Sequence, residues 1–115
     1  MERVYLGIYT EDRTLAFDLL DTKSAGVGQK SEILPGTTLR CTDWNIQKSF
    51  GVPEFLGFVI DASVAIEVGL LTNWLYTKVC DKKIDKLIIN RREVVEISRD
   101  SIRYALEETI TKEKS

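Results

Sequence analysis

The stretch Glu54 to Val79 reads EFLGFVIDASVAIEVGLLTNWLYTKV, and it is the most apolar part of the chain. Whatever it forms sets the architecture. Pro53 suits the first turn of a helix, where its missing N–H costs nothing, and Glu54 favours the positive N-terminal end. A continuous helix from Pro53 to Val79 would run about 40 Å. Gly57 and Gly69 each weaken it by roughly 1 kcal/mol relative to Ala, so one helix and two shorter ones both stay open. As a membrane span its length suffices, but its content does not. Asp61 alone costs about 2.5–3.5 kcal/mol near a bilayer centre, and Glu67 and Asn73 add to that. As a catalytic helix it fares no better, because Asp61 and Glu67 would point about 120° apart around the axis. A buried spine remains. Phe55, Val59, Ala62 and Ile66 would form one ridge, with Leu56, Ile60, Ser63, Leu70 and Trp74 on its neighbours. A chain of 115 residues has few elements to surround such a helix. A partner protein, or a second copy in a homodimer through the long helix, is then expected to share the cover.

The flanking segments are simpler. Arg3 to Tyr9 alternates, with Val4, Leu6 and Ile8 on one face and Tyr5 and Tyr9 on the other, so it reads as a first strand. Asp12 to Asp21 has helical spacing through Leu15, Ala16, Leu19 and Leu20. Residues 22–36 are polar and broken by Gly26, Gly28, Pro35 and Gly36, which predicts a long loop. Thr37 to Asp43 is a second strand, and Asn45 to Val52 a connector. Ile84–Ile89 and Glu93–Ser98 read as a β-hairpin turning at Asn90-Arg91-Arg92, with Val95 and Ile97 meeting Leu87 and Ile89. A last helix starts at Asp100 or Ser101. Ile102, Ala105, Leu106, Thr109 and Ile110 form its buried stripe, and Arg103, Glu107, Glu108 and Lys112 face water. Residues 111–115 are expected to fray. The order is β-α-β-α-β-β-α: a single α+β domain whose long central helix lies on a mostly antiparallel sheet.

Composition narrows the chemistry. The chain has no histidine, which removes the commonest general base, metal ligand and triad member. No metal site and no cofactor are expected. The formal net charge is −2, so nothing supplies the basic face that a bulk hold on nucleic acid requires. Trp44, in a predicted loop, and Arg91-Arg92 at a turn resemble a single-strand platform only weakly, because no strand interleaves aromatics with them. The two cysteines, Cys41 and Cys80, are not in a CxxC pair. With no basic, apolar leader in MERVYLGIYTEDR, free thiols in a cytoplasmic protein are the simplest reading, and a Cys41–Cys80 bridge stays open. Cationic neighbours of Cys80 can lower a thiol pKa, but no base accompanies it. Charge is unevenly spread: no Lys or Arg lies between Lys48 and Lys78, where Glu54, Asp61 and Glu67 stand alone.

The layout resembles the effector-associated constant component family of small domains in bacterial conflict systems. The residues that carry the likeness are RVYLGIYTEDRTLAFDLL, then LLTNWLYTKV, the hairpin KLIINRREVVEIS and the helix SIRYALEETI. It spans Val4 to Ile110 in layout and rests on Leu70 to Ile97. The turn Asn90-Arg91-Arg92 stands where the family has a glycine-containing turn, and no functional residue carries over. The resemblance implies a noncatalytic adaptor that recruits an effector. In size and charge the chain is also similar to the immunity proteins of polymorphic toxins, which inhibit a toxin by binding it.

The expectation is a noncatalytic binding protein, with immunity ahead of the adaptor role and a small enzyme as the third reading. An acidic and aromatic patch of Trp44, Glu54, Asp61 and Glu67 is expected to meet the cognate partner.

Overall fold

The computed structural model describes residues 2–12, 14–21, 26–45 and 53–114. They form an α+β domain built on one antiparallel sheet of six strands. The expected long central helix is absent. Its first part, Glu54–Ala62, is strand β4, and only Val68–Val79 is helical, as α2. Glu54–Ala62 is rich in aromatic and β-branched residues, and it pairs along its whole length with β1 (Glu2–Thr10) on one edge and β3 (Thr37–Asn45) on the other. A central strand with apolar contacts on both faces loses its alternation, so its composition resembles a buried helix. Of the long helix through which a homodimer is expected, only the part Val68–Val79 is helical.

The predicted loop at residues 22–36 is also corrected within its described part. Lys30–Leu34 forms edge strand β2, paired with β3. Gly36, at φ 74°, follows Pro35 in the tight turn between them. Strands β5 (Ile84–Ile89) and β6 (Arg92–Val94) complete the sheet, whose order is β2-β3-β4-β1-β5-β6. Their turn has two central residues rather than three. Asn90 and Arg91 both have positive φ, at 49° and 70°, as a type I′ turn requires. The shorter turn shifts the register by one, and Val94 rather than Val95 stands opposite Leu87. Val95 is left 92% exposed. Asn90 also ties the hairpin to β1: its N–H donates to the Tyr5 carbonyl at 2.8 Å, and its Oδ1 accepts from the Tyr5 N–H at 2.7 Å.

All three helices contribute to one buried cluster with one face of the sheet. That face presents Val4, Leu6 and Ile8 from β1, Leu39 and Cys41 from β3, Leu56, Phe58 and Ile60 from β4, and Leu87 and Ile89 from β5. The short helix α1 (Leu15–Leu20) adds Leu15, Ala16, Leu19 and Leu20; α2 adds Leu71, Leu75 and Val79. Helix α3 (Arg99–Lys114) packs on α2 and buries Ile102, Ala105 and Leu106, as the stripe predicts. The side chains of Thr109, Ile110 and Lys112 lie outside the described residues, as do residues 22–25 of the expected loop and 46–52 of the connector. Each fully buried Leu, Ile or Phe contributes about 1.5–3 kcal/mol. Among the described residues no helix is long and apolar enough to cross a membrane.

The sheet permits one unusually close approach at its centre. Gly7 of β1 pairs with Gly57 of β4. A Cβ on Gly57 would meet Asp43 Cβ at 2.9 Å, whereas one on Gly7 would meet the edge of the Phe55 ring at 3.2 Å. A side chain at Gly57 thus forces β3 to move, while one at Gly7 displaces only a ring. Gly57→Ala is expected to lower the unfolding free energy by about 1–3 kcal/mol, and Gly7→Ala by less, in urea titrations followed by circular dichroism.

A second effect concerns the loop before α1. The Thr14 hydroxyl and N–H donate to Asp12 Oδ1 at 2.7 and 2.9 Å. These bonds, the hydroxyl's first, hold the Asp12 carboxyl below its ordinary 3.8. A lowered folded pKa means the contribution is complete above the unfolded value and fades as pH falls through the folded one. Asp12→Asn should therefore flatten the loss of stability below about pH 4, measured by urea unfolding across an acid pH series.

Candidate functional site

Because every helix packs on the same side, the other side of the sheet has no covering layer among the described residues. Side chains alternate along each strand, so the residues there follow from the register. Strand β1 sends out Arg3, Tyr5, Gly7 and Tyr9; β4 sends out Phe55, Gly57, Val59 and Asp61. Tyr9 and Phe55 stand directly opposite, with ring centroids 4.9 Å apart and planes tilted by 43°. The Phe55 ring can lean toward β1 because Gly7 offers no side chain. The Lys86 ammonium lies 5.8 Å from the Tyr9 ring centroid. Tyr5 is 53% exposed, and its cross-strand neighbour Val59 is buried between it and Arg40. Ile88, half-buried, continues the glycine row.

This is an aromatic and aliphatic surface framed by charge. The cations on it are Arg3, Lys30, Arg40 and Lys86, and the carboxylates are Glu32, Asp43, Asp61 and Glu93. Arg3 Nε donates to Asp61 Oδ1 at 2.6 Å, and this hydrogen bond raises the guanidinium pKa further. The face thus has no net charge.

The four residues expected to form one patch separate into three places. Trp44 is on a strand, not in a loop. Its ring meets Phe17 of α1 edge-on at 5.8 Å, and its indole N–H donates to Glu54 Oε2 at 3.4 Å. Glu54 is buried at the start of β4, on the helical side of the sheet. Asp61 lies near the far end of the same strand, about 23 Å away at 3.3 Å per residue, and on the open side. Glu67 caps α2, where its carboxylate accepts from the Gly69 N–H at 3.1 Å. Of the four, only Asp61 belongs to the open face.

The sequence does not mark Tyr5, Tyr9 and Phe55 as a site. Tyr5 and Tyr9 alternate against the buried residues of β1, and that was the available signal. Phe55 carried none while its segment read as helix.

No family model, curated protein or solved structure matches this chain. Its own surfaces and thiols must supply the functional argument. Among the described residues, no three His, Cys, Asp or Glu side chains come together as a metal site. The two thiols are free and differ in setting. Cys41 is buried beneath the helices, and burial pushes its pKa up. Cys80 closes α2 and is exposed. A thiol held protonated and out of solvent is a poor nucleophile. In the native protein at pH 7.5 a disulfide reagent such as DTNB should label Cys80 quickly and Cys41 only after denaturation. Equal labelling rates would refute this difference in access.

Proposed function

We propose that the chain is a noncatalytic protein-binding module that meets a cognate protein with the open face of its sheet. The observation that carries the reading is the one-sided cover: three helices on one side, and on the other Tyr5, Tyr9 and Phe55 on adjacent strands. Aromatic side chains dominate binding energy where two proteins exclude water between them. Aromatics on a sheet can also stack nucleic-acid bases. The charge favours the first of these uses. Four cations matched by four carboxylates give no field to displace counterions, whereas interleaved signs suit a protein surface.

Within that class the role is immunity: stoichiometric neutralisation of a toxin in a bacterial conflict system, by direct binding. A module with an extended open face suits an inhibitor that works by cover alone. The adaptor role is the second reading, favoured by the resemblance over Leu70–Ile97. Mixing the purified chain with a toxin that it pulls down from its native host separates them. Loss of toxin activity at equimolar ratio supports immunity; a tight complex with undiminished activity supports the adaptor.

The face itself is tested by Tyr5→Ala and Lys86→Glu. Each is expected to weaken the complex at least tenfold, about 1.4 kcal/mol, in calorimetric titration. Affinity unchanged in both variants would place the interface elsewhere.

A further inference from the structure

Edge strand β2 is paired on one side only. Which of its backbone groups face outward follows from its inward bonds. The Gly28 N–H donates to the Cys41 carbonyl and the Cys41 N–H to the Gln29 carbonyl, both at 2.8 Å. Gly28 has φ 95°, so Gly28 and Gln29 together oppose Cys41 as a glycine-led bulge. Cys41 thus bonds toward β2, and the alternation makes Leu39 and its partner Ser31 the next bonded pair. Lys30 and Glu32, on either side of Ser31, therefore turn their N–H and C=O groups away from β3. Their exposed side chains share the open face, and neither forms an ion pair among the described residues. Lys30 stands across from Arg40, a like charge in the closer, non-hydrogen-bonded kind of pair. The register breaks again between Glu32 and Leu34, which confines the regular edge to residues 30–32.

We infer that this edge pairs antiparallel with the same edge of a second copy, about a two-fold axis at Ser31. A two-fold contact must be complementary to itself. An axis at Lys30 or at Glu32 would set like charges directly opposite each other. An axis at Ser31 sets Lys30 of each copy opposite Glu32 of the other. The outward groups of those two residues then meet, and each such pair exchanges two hydrogen bonds. A lysine commonly guards an edge strand against pairing. Here the same strand carries its complement two residues on, so the guard does not repel its own copy. The incoming carboxylate also offsets the repulsion between Lys30 and Arg40. The dimer joins the two six-stranded sheets with both open faces on one side. The contact is separate from the aromatic part of the open face, and its test needs no toxin or effector. So short an edge buries less than a standard interface, and the association is weak.

The test uses the full chain carrying Cys80→Ser, which leaves the buried Cys41 as its native thiol. Sedimentation velocity from about 10 μM to about 1 mM should show a monomer–dimer equilibrium. Lys30→Glu and Glu32→Lys should each lower the dimer affinity about tenfold or more, with circular dichroism confirming the fold. Both substitutions in one chain, or an equimolar mixture of the two single variants, should restore it. If a charge variant fails to fold, Ser31→Cys carries the test. Across the axis its Cα atoms would be about 4.5 Å apart, within disulfide reach, and mild oxidation with diamide should give a covalent dimer. Lys30→Cys, about 8 Å from its symmetry mate, should not cross-link. A monomer at every concentration would overturn the inference. So would a dimer indifferent to both charge reversals, or cross-linking of Lys30→Cys as readily as of Ser31→Cys.

Discussion

β4 is held on both edges, and the rest of the molecule is arranged around that double pairing. Its partners β1 and β3 run along it from end to end. Leu56, Phe58 and Ile60 point from it into the layer beneath the helices, and Leu6, Ile8, Leu39 and Cys41 flank them in register. A slip of one residue would exchange Phe58 for Gly57 in the core and turn Asp61 inward. Because both ladders must agree, the slip would break two sets of hydrogen bonds at once. The close contact between Gly57 and Asp43 reinforces the same register from the other side. Burial on one face and lack of space on the other therefore select a single alignment.

The fold was legible wherever one face of an element is wet. Val4, Leu6 and Ile8 alternate with polar or aromatic residues, and β1 is read correctly from that alternation. Ile102, Ala105 and Leu106 repeat at helical spacing, and α3 follows. β4 is not legible as a strand because Val59, Phe55 and Gly57 on its outer side are apolar too, and the period of two vanishes. β2 failed for the opposite reason. Lys30, Ser31 and Glu32 are polar on both faces, and an edge strand joined to its neighbour by Pro35-Gly36 looks like loop. In the hairpin, Asn90 is legible as a turn residue, but a turn one residue longer than the real one places Val95 inward. The positive φ of Arg91, uncommon for a residue with a side chain, was not visible in composition.

The candidate site was less legible than the fold. Carboxylates in a run without cations suggested a patch, but their destinations depend on which element carries them. On a strand, Glu54 and Asp61 fall on opposite sides of the sheet. Glu67 is occupied at a helix start. The aromatic face arises only when two strands distant in sequence are set side by side, so Tyr9 and Phe55 could not be paired in advance.

The position of β1 in the sheet has a kinetic consequence. It is the earliest strand in the chain, yet its two neighbours are β4 and β5. Leu6 must wait for Phe58 and then for Ile89 before both its edges are closed. Closing such long loops spends chain entropy before the contacts return it, and domains dominated by distant pairings fold slowly. During synthesis the meander β2-β3-β4 is complete while α2 and α3 are still to come, so α1 alone of the three covering helices is present for that interval. The cover closes only with α3, so the most apolar side of the sheet is also the side completed last.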